Sequence, residues 1–413
     1  MAALSTMKLV CEIDILAERE ARIRINQMFG RGTRRDFLCR TGSLAAAGVI
    51  AAGLPKQRAA AATDMGPHDF VIVEGHRDMW ELSARTRLPG ADNHLPITRH
   101  LLPRLIDAGI TVCIAPAGGG DSLEERDGNE ELLEGGMRVL DLYLTDIEQS
   151  KGLASIIRTK ADIPTGPTRG KVKFFIDMEG TGAIQTNQPE PMFPAERRLA
   201  LVRQFFRLGV RGMQLTHNGR NQVGDGRGID VKGSRLTPFG VAVVQEMNRL
   251  GMMVGVSHLS NNGLLHAAEI SKTPLVSTHQ NLVRYTKSDP QVEITEEEAK
   301  VIAKTGGIVG IRYHSNTLTP YTKLADEIEY LCNLIGPEHI GVGWLGHDKV
   351  NPGPHDVEGH TSRTYSGVET QSIYEHYDNF IKALSERGLT DQQIGMVLGG
   401  NYLRVWRQVL PEA

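Results

Sequence analysis

Met252-Met253-Val254-Gly255-Val256-Ser257-His258-Leu259-Ser260 is the stretch on which the reading of the chain turns. The run Met252–Val256 is too short for a helix and has no polar face, as expected of a strand covered on both sides. It ends in Ser257-His258 and passes into an amphipathic helical stretch, Asn261–Ile270. Just before it lies Pro238–Leu250, with Val241, Val244, Met247 and Leu250 at helical spacing. Working outward, the same strand-then-helix unit recurs. Strand-like runs fall at Phe70–Glu74, Ile110–Pro116, Val172–Asp177, Gly212–Leu215, Leu275–Ser277, Gly307–Ile311 and Ile340–Gly343. Helical stretches between them include Ala195–Leu208, Thr295–Lys304 and Tyr321–Ile335. Eight such strands in alternation predict an α/β fold closed into a (β/α)8 barrel of TIM type, rather than an open sheet. A doubly wound sheet competes, but the first strand turns through Glu74-Gly75-His76-Arg77-Asp78, which has no glycine-rich phosphate loop. A loop over the barrel mouth is expected at 349–367, and closing helices near Val368–Arg387 and Asp391–Val409.

Barrels of this kind carry their reactive residues where strands end and loops begin. The first strand ends in His76-Arg77-Asp78, the third in Asp177-Met178-Glu179, the fourth in Thr216-His217 and the fifth in Ser257-His258. The sixth ends in Thr278-His279, the seventh in Tyr313-His314, and the eighth runs into Trp344-Leu345-Gly346-His347-Asp348. Imidazole and carboxylate thus recur at one level of the barrel from strands far apart in sequence. A His/Asp/Glu set without cysteine suits Zn²⁺, or Mn²⁺ and similar ions. Three histidines and two carboxylates exceed what one catalytic ion needs, and a carboxylate bridging two ions ~3.5–4 Å apart would use them all. His68, His94, His100, His266, His339 and His376 lie away from strand ends and read as ordinary structural histidines.

The bulk properties narrow the partners. The chain has 413 residues with a formal net charge of −3, so it offers no basic surface for nucleic acid or anionic lipid. The four cysteines, at 11, 40, 113 and 332, form no C-x-x-C pair, which argues against a thiolate metal site. Cys113 and Cys332 read as free thiols, with a disulfide between them as the alternative.

Thr33-Arg34-Arg35-Asp36-Phe37-Leu38 is a twin-arginine pattern, followed by the apolar stretch Thr41–Leu54, Pro55 and the alanine run Ala59–Ala62. Charged start, short apolar middle and small-residue end make an export signal. The apolar stretch is well short of the ~20 residues of a spanning helix. The expected organisation is therefore a signal region at 1–62, removed or disordered, and a single barrel domain at 63–413, periplasmic or secreted by the twin-arginine route. Glu12, Asp14, Glu18 and Glu20 are unusual in a leader, and Met28 would give a shorter, more basic one.

The strand-end residues resemble the membrane (renal-type) dipeptidases, zinc peptidases on an amidohydrolase-like barrel. The resemblance runs from about Asp69 to Val409. It is carried by Gly75-His76-Arg77-Asp78, Met178-Glu179-Gly180, Leu215-Thr216-His217-Asn218, Leu236-Thr237-Pro238-Phe239-Gly240, Val256-Ser257-His258-Leu259-Ser260, Ser277-Thr278-His279 and Gly399-Gly400-Asn401-Tyr402-Leu403-Arg404-Val405. It implies two Zn²⁺ ions, one held by His76, Asp78 and a bridging Glu179, the other by His258, His279 and the same Glu179. A hydroxide activated by both ions would be the nucleophile, and His217 would steady the substrate carbonyl oxygen.

Two places depart from the family pattern. Its eighth strand runs G-x-G-x-D-F-D-G, the first Asp being the proton shuttle. Here Leu345 falls in that register, and Asp348 or His347 is left to take the role. The family arginine that binds the substrate carboxylate has no counterpart at matching spacing, so Arg284 and Lys287 become candidates. The expected function is hydrolysis of dipeptides, including ones with a D- or unusual C-terminal residue. Alternatives are an amide, lactam or ester hydrolase acting on a non-peptide metabolite, and a catalytically impaired metal-binding barrel. The expected partner is a small peptide, with a homodimer left open.

Overall fold

The computed structural model describes residues 63–77, 97–118, 132–185, 195–229, 234–286, 293–313, 321–343, 345 and 373–412, all within one compact unit, Gln57–Ala413. Asp78, Lys287, His314, His347, Asp348, the expected mouth loop at 349–367 and the whole twin-arginine region lie outside the described residues. Among the described residues no helix is long and apolar enough to cross a membrane.

Among the described residues nine strands follow in chain order: β1 Ile72–Glu74, β2 Ile110–Pro116, β3 Ala154–Ile156, β4 Val172–Asp177, β5 Gly212–Gln214, β6 Met253–Gly255, β7 Leu275–Ser277, β8 Ile308–Ile311 and β9 Ile340–Val342. Between and after them run α1 Leu102–Asp107, α2 Leu132–Gln149, α3 Ala195–Leu208, α4 Pro238–Leu250, α5 Asn261–Ile270, α6 Glu296–Lys304, α7 Tyr321–Ile335, α8 Ile373–Glu386, α9 Asp391–Gly395 and α10 Asn401–Val409. Every strand pair is parallel, in two arcs, β1-β2-β4-β3 and β5-β6-β7-β8-β9. Backbone hydrogen bonds join the arcs into a TIM barrel. On one side Arg211 N donates to Ile176 O (2.8 Å) and Gln214 N to Met178 O (2.8 Å). On the other, Gly75 N donates to Val342 O (3.0 Å) and His76 N to Gly343 O (2.9 Å).

The eight expected strands form the barrel wall, and β3 is an addition to it. Strand β3 pairs with the first half of β4, Val172–Phe174, and β5 takes over that edge further along. Cys113 and Cys332 are both free thiols.

Alternation sorts the side chains into two cores. Val73, Val112, Ile114, Phe175, Met253, Val276 and Ile308 point into the barrel, while Ile72, Cys113, Phe174, Val254, Leu275 and Val309 face the helices. The interior is completed by the last helix. Asn401 Nδ2 of α10 donates to Pro337 O (2.7 Å) and Ile340 O (2.8 Å) at the entry of β9, which places α10 under the N-terminal end of the barrel. From there Trp406 stacks on Phe175, with centroids 4.6 Å apart and planes 8° apart. Tyr402 reaches furthest up, its hydroxyl donating to Val342 O (3.3 Å) and Thr278 O (3.4 Å). Gly75 must be glycine for this reason, because a Cβ there would meet the Tyr402 hydroxyl at 2.3 Å. The barrel is filled from below, leaving the C-terminal mouth for chemistry.

Candidate metal centre

Each described candidate ligand is set by the turn that ends its strand. After β4, Glu179 N donates to Gly118 O (3.0 Å), and Gly180 turns the chain away with φ +91°, a conformation glycine adopts without cost. Thr181 Oγ1 then donates to Leu215 O (2.9 Å), tying this turn to the exit of β5. After β6 only Val256 to Ser260 separate the strand from α5, and Ser260 caps that helix by accepting from Gly263 N. So tight a turn forces His258 to φ +63°, a left-handed conformation that costs a non-glycine residue about 1 kcal/mol or more. After β7, Thr278 N donates to Ser257 Oγ (2.8 Å), so the sixth and seventh strand exits are held together.

These turns bring three buried histidines and the half-buried Glu179 to one point. The Nε2 atoms of His258, His279 and His76 lie 3.2, 3.3 and 3.6 Å from a single oxygen, Glu179 Oε1. His258 Nε2 and His279 Nε2 are 2.8 Å apart. The His76 and His279 rings stack at 3.9 Å. His217 joins from the exit of β5, with its ring 4.6 Å from that of His258. Donor atoms of Glu179, His217 and His258 all lie within 4.8 Å of one another, as do those of His76, Glu179 and His279. The far ring nitrogens are also held: His258 Nδ1 lies 2.8 Å from Asn218 Oδ1, and His279 Nδ1 2.8 Å from Thr278 Oγ1.

The electrostatics of this cluster suit a cation. Burial alone would raise the Glu179 carboxyl, but the surrounding imidazoles, His76 foremost, hold it well below the usual carboxylate range. Burial first, and then the neighbouring His76, hold His279 well below the ordinary imidazole range, although Glu179 pulls it upward. An ionised carboxylate in such a place calls for positive charge beside it, while burial drives the proton off His279. Protons satisfy only one of these demands at a time; a divalent ion satisfies both, since it needs the carboxylate ionised and the imidazoles neutral. The donor set of histidine and carboxylate without thiolate fits zinc-like ions.

Arg284 goes elsewhere. Its Nη1 donates to Glu296 Oε1 at the start of α6 (2.8 Å), and its guanidinium lies 4.2 Å over the Tyr330 ring. The three glutamates of the first turn of α6 draw it there, and its contacts are with residues outside the histidine cluster. Leu345, in the register of the family aspartate, is 1% exposed and packs in the outer core. Sequence reading gave no role to Asn218 or Thr278; their places directly after His217 and before His279 were the available signal. It also missed two buried ion pairs that brace the turns, Glu74–Arg77 beside His76 and Arg227–Glu298 beside His258.

Residues 67–412 match the membrane dipeptidases, peptidase family M19. The chain belongs to this family. Among other members, it is 28% identical to dipeptidase verJ of Clonostachys rogersoniana over 68% of this chain and 67% of that one. It is 30% identical to dipeptidase 3 of Mus musculus over 58% of this chain and 45% of the mouse protein. An uncharacterized dipeptidase of Schizosaccharomyces pombe is 28% identical over 58% of this chain and 53% of its own. The chain thus spans about half to two thirds of the length of these relatives. Among solved structures, the probable dipeptidase PvdM from Pseudomonas aeruginosa superposes with a TM-score of 0.65 at 14% identity, covering 83% of this chain and 96% of that one. A metallopeptidase from Rhodobacter sphaeroides, liganded with a phosphinate mimic of L-Ala-D-Ala, gives 0.63 at 18% identity over 83% and 99%. These two likenesses show the fold, a TIM barrel.

Proposed function

We propose that this protein hydrolyses the peptide bond of dipeptides with the help of two divalent metal ions, zinc in the first instance. The observation that carries the reading is the convergence of the His76, His258 and His279 Nε2 atoms on one oxygen of Glu179. His76 would hold one ion together with Asp78, and His258 and His279 the other, with Glu179 shared between them. Bound there, the ions would lower the pKa of a water between them and polarise the scissile carbonyl. The chain's own groups would do the rest. Glu179, kept ionised, supplies the shared negative charge. His217, whose ring lies 4.6 Å from that of His258, would donate to the carbonyl oxygen as the carbonyl carbon becomes tetrahedral. The attacking water must lose a proton and the leaving amine must gain one, a transfer assigned here to Asp348, with His347 as the alternative. Export by the twin-arginine route is part of the same proposal.

A second reading has one specific observation in its favour. Leu345, which falls in the register of the family's shuttle aspartate, is buried in the outer core, so a proton path through that position would be absent. An amide, lactam or ester whose leaving group needs less protonation would suit such a site. The test is to measure zinc content and turnover on a panel of L,L- and L,D-dipeptides beside lactams and esters. About two ions per chain with dipeptide turnover that a chelator abolishes is the expected result. Two ions with turnover only on the non-peptide compounds selects the second reading, and a chain that binds no metal overturns both.

A further inference from the structure

We infer that Asn218 is a positioning residue that selects the metal-binding tautomer of His258. The inference rests on the metal-centre reading above and assigns a role to a side chain outside the ligand set.

A neutral imidazole carries one proton, and the nitrogen without it is the one that can bind a metal. In His258 the nitrogen facing Glu179 and His279 is Nε2, at 3.2 Å from Glu179 Oε1 and 2.8 Å from His279 Nε2. It can act as a ligand only if the proton sits on Nδ1. That proton has an acceptor, since Asn218 Oδ1 lies 2.8 Å from His258 Nδ1. With the amide turned the other way, its NH₂ would donate to Nδ1, push the proton to Nε2, and point an N–H at the place a metal would occupy. The orientation of one amide therefore separates a metal-competent histidine from an incompetent one.

The loop carrying Asn218 is built to hold its side chain against His258. It grips His258 twice: through the Asn218 side chain, and through Arg227 N, which donates to His258 O (2.6 Å). The two grips are tied to each other, because Gly228 N donates back to Asn218 O (3.1 Å). The segment is pressed close to its neighbour, since a Cβ on Gly226 would lie 2.1 Å from His217 O and 2.5 Å from the Asn218 carbonyl carbon. His258 needs such support because its backbone is left-handed at φ +63° and would relax if released. Asn218 itself is exposed at the surface of the loop, so its side chain is not there to fill the core. The other strand-exit histidine near it, His279, has a hydroxyl at the same position of the ring, Thr278 Oγ1, which can accept or donate. An amide oxygen can only accept, and so it alone fixes the tautomer outright.

The test uses the full chain, stripped with a chelator and titrated with Zn²⁺, and separately with Co²⁺, against a competing chromophoric chelator. Wild-type protein should take up two ions in resolvable steps. Asn218→Leu and Asn218→Ala should weaken one step by about 10–100-fold, the range for losing a hydrogen bond to the far side of a ligating histidine, and leave the other step unchanged. Asn218→Asp, which keeps an acceptor, should hold both steps within a few-fold of wild type. The metal-free variants should match wild type in circular dichroism and thermal midpoint, which shows that a weakened step is not lost fold. Asn218→Leu and Asn218→Ala proteins that bind both ions as tightly as a two-ion wild type overturn this inference alone. Equal weakening in Asn218→Asp also overturns it, because the acceptor would then be irrelevant. A wild-type chain that takes up no ion overturns the metal-centre reading and this inference with it.

Discussion

Replacing Glu327 by glutamine should change the way stability depends on pH, with a sign and size that the structure dictates. Glu327 lies on α7, 2% exposed, under the segment that follows His279. Its carboxylate accepts from Leu282 N (2.6 Å) and Asn281 Nδ2 (2.9 Å). Beside it Glu293 accepts from Asn281 N (2.6 Å) and from Arg312 Nη2 (2.9 Å). Burial, only partly offset by the Asn281 and Leu282 hydrogen bonds, pushes Glu327 up from 4.5 to about 7, with Glu293 adding to the rise and Arg312 opposing it. A carboxyl whose folded value is raised favours the folded state while it is protonated. Its contribution is whole below pH 4.5 and is lost as pH rises through about 7. At ~1.4 kcal/mol per pH unit, that interval amounts to about 3 kcal/mol. For a unit the size of Gln57–Ala413, an unfolding entropy of ~2.1 cal/mol/K per residue converts this to about 4 °C in the thermal midpoint.

Glu327→Gln stays neutral at every pH, and its amide can pair with Asn281 once the Asn281 amide turns over, since Asn281 Oδ1 is buried without a partner. The midpoint of the glutamine variant minus that of wild type should therefore rise by about 4 °C between pH 4.5 and 8. Taking the difference between two proteins removes the titration of the histidine cluster, which both share. The assay is differential scanning calorimetry of both proteins, metal-free, at half-unit steps of pH. A difference that stays flat across this range would falsify the claim that Glu327 is protonated near neutrality in the folded protein.

Three further outcomes are expected. Trp406→Ala, which empties the place of a fully buried ring stacked on Phe175, should cost about 3–5 kcal/mol, seen as a lowered denaturation midpoint in guanidinium chloride; a loss under 1 kcal/mol would mean that α10 does not plug the barrel. Replacing Arg34 and Arg35 by lysine should keep the protein in the cytoplasm, and arrival of the variant in the periplasmic fraction would defeat the export proposal. Asp348→Ala should lower turnover by about 10²–10⁴-fold with metal content unchanged; unaltered turnover, together with its loss in His347→Ala, would move the proton-carrying role to the histidine.

How far the sequence could be read depended on where its signals are local. The helix Pro238–Leu250 was readable to the residue because Thr237 caps it, Pro238 opens it and Gly251 ends it, all within the segment itself. The same holds for Val172–Asp177, whose apolar run is bounded by Lys171 and Met178-Glu179-Gly180. Strand β3 could not be found this way: of Ala154-Ser155-Ile156 only Ala154 is buried, so no apolar run announces it, and pairing with β4 alone makes it a strand. Arg284 shows the complementary limit, a partner that spacing could not reveal. An exposed cation will take a nearby acid, and spacing from His279 says nothing about Glu296 being closer to it than the cluster is. The strand-exit positions of His76, Glu179, His258 and His279 were legible because strand ends are fixed by period and punctuation. Their partners were not, because Asn218 reaches His258 across 40 residues.

The plug at the bottom of the barrel bears on how the site at the top comes to exist. Tyr402 donates to Thr278 O, and Thr278 Oγ1 touches His279 Nδ1, so the last helix and a candidate ligand are two hydrogen-bonding steps apart. The same hydroxyl donates to Val342 O, which also accepts from Gly75 N, next to His76. The seam between the first and last strands, the seat of His279 and the backbone before His76 are thus braced by Tyr402 of α10, which follows all nine described strands in the chain. Gly75 and Gly341 make room for that ring, since a Cβ would meet the Tyr402 hydroxyl at 2.3 Å from Gly75 and the ring at 2.6 Å from Gly341. Until that helix has inserted, the donors of the cluster lack a rigid floor, and a site that is loose by an ångström binds metal poorly. On the metal-centre proposal, metal loading would then follow the insertion of α10 rather than the folding of the N-terminal strands alone. That is the order of events that export of an already folded protein, the twin-arginine proposal made above, would require.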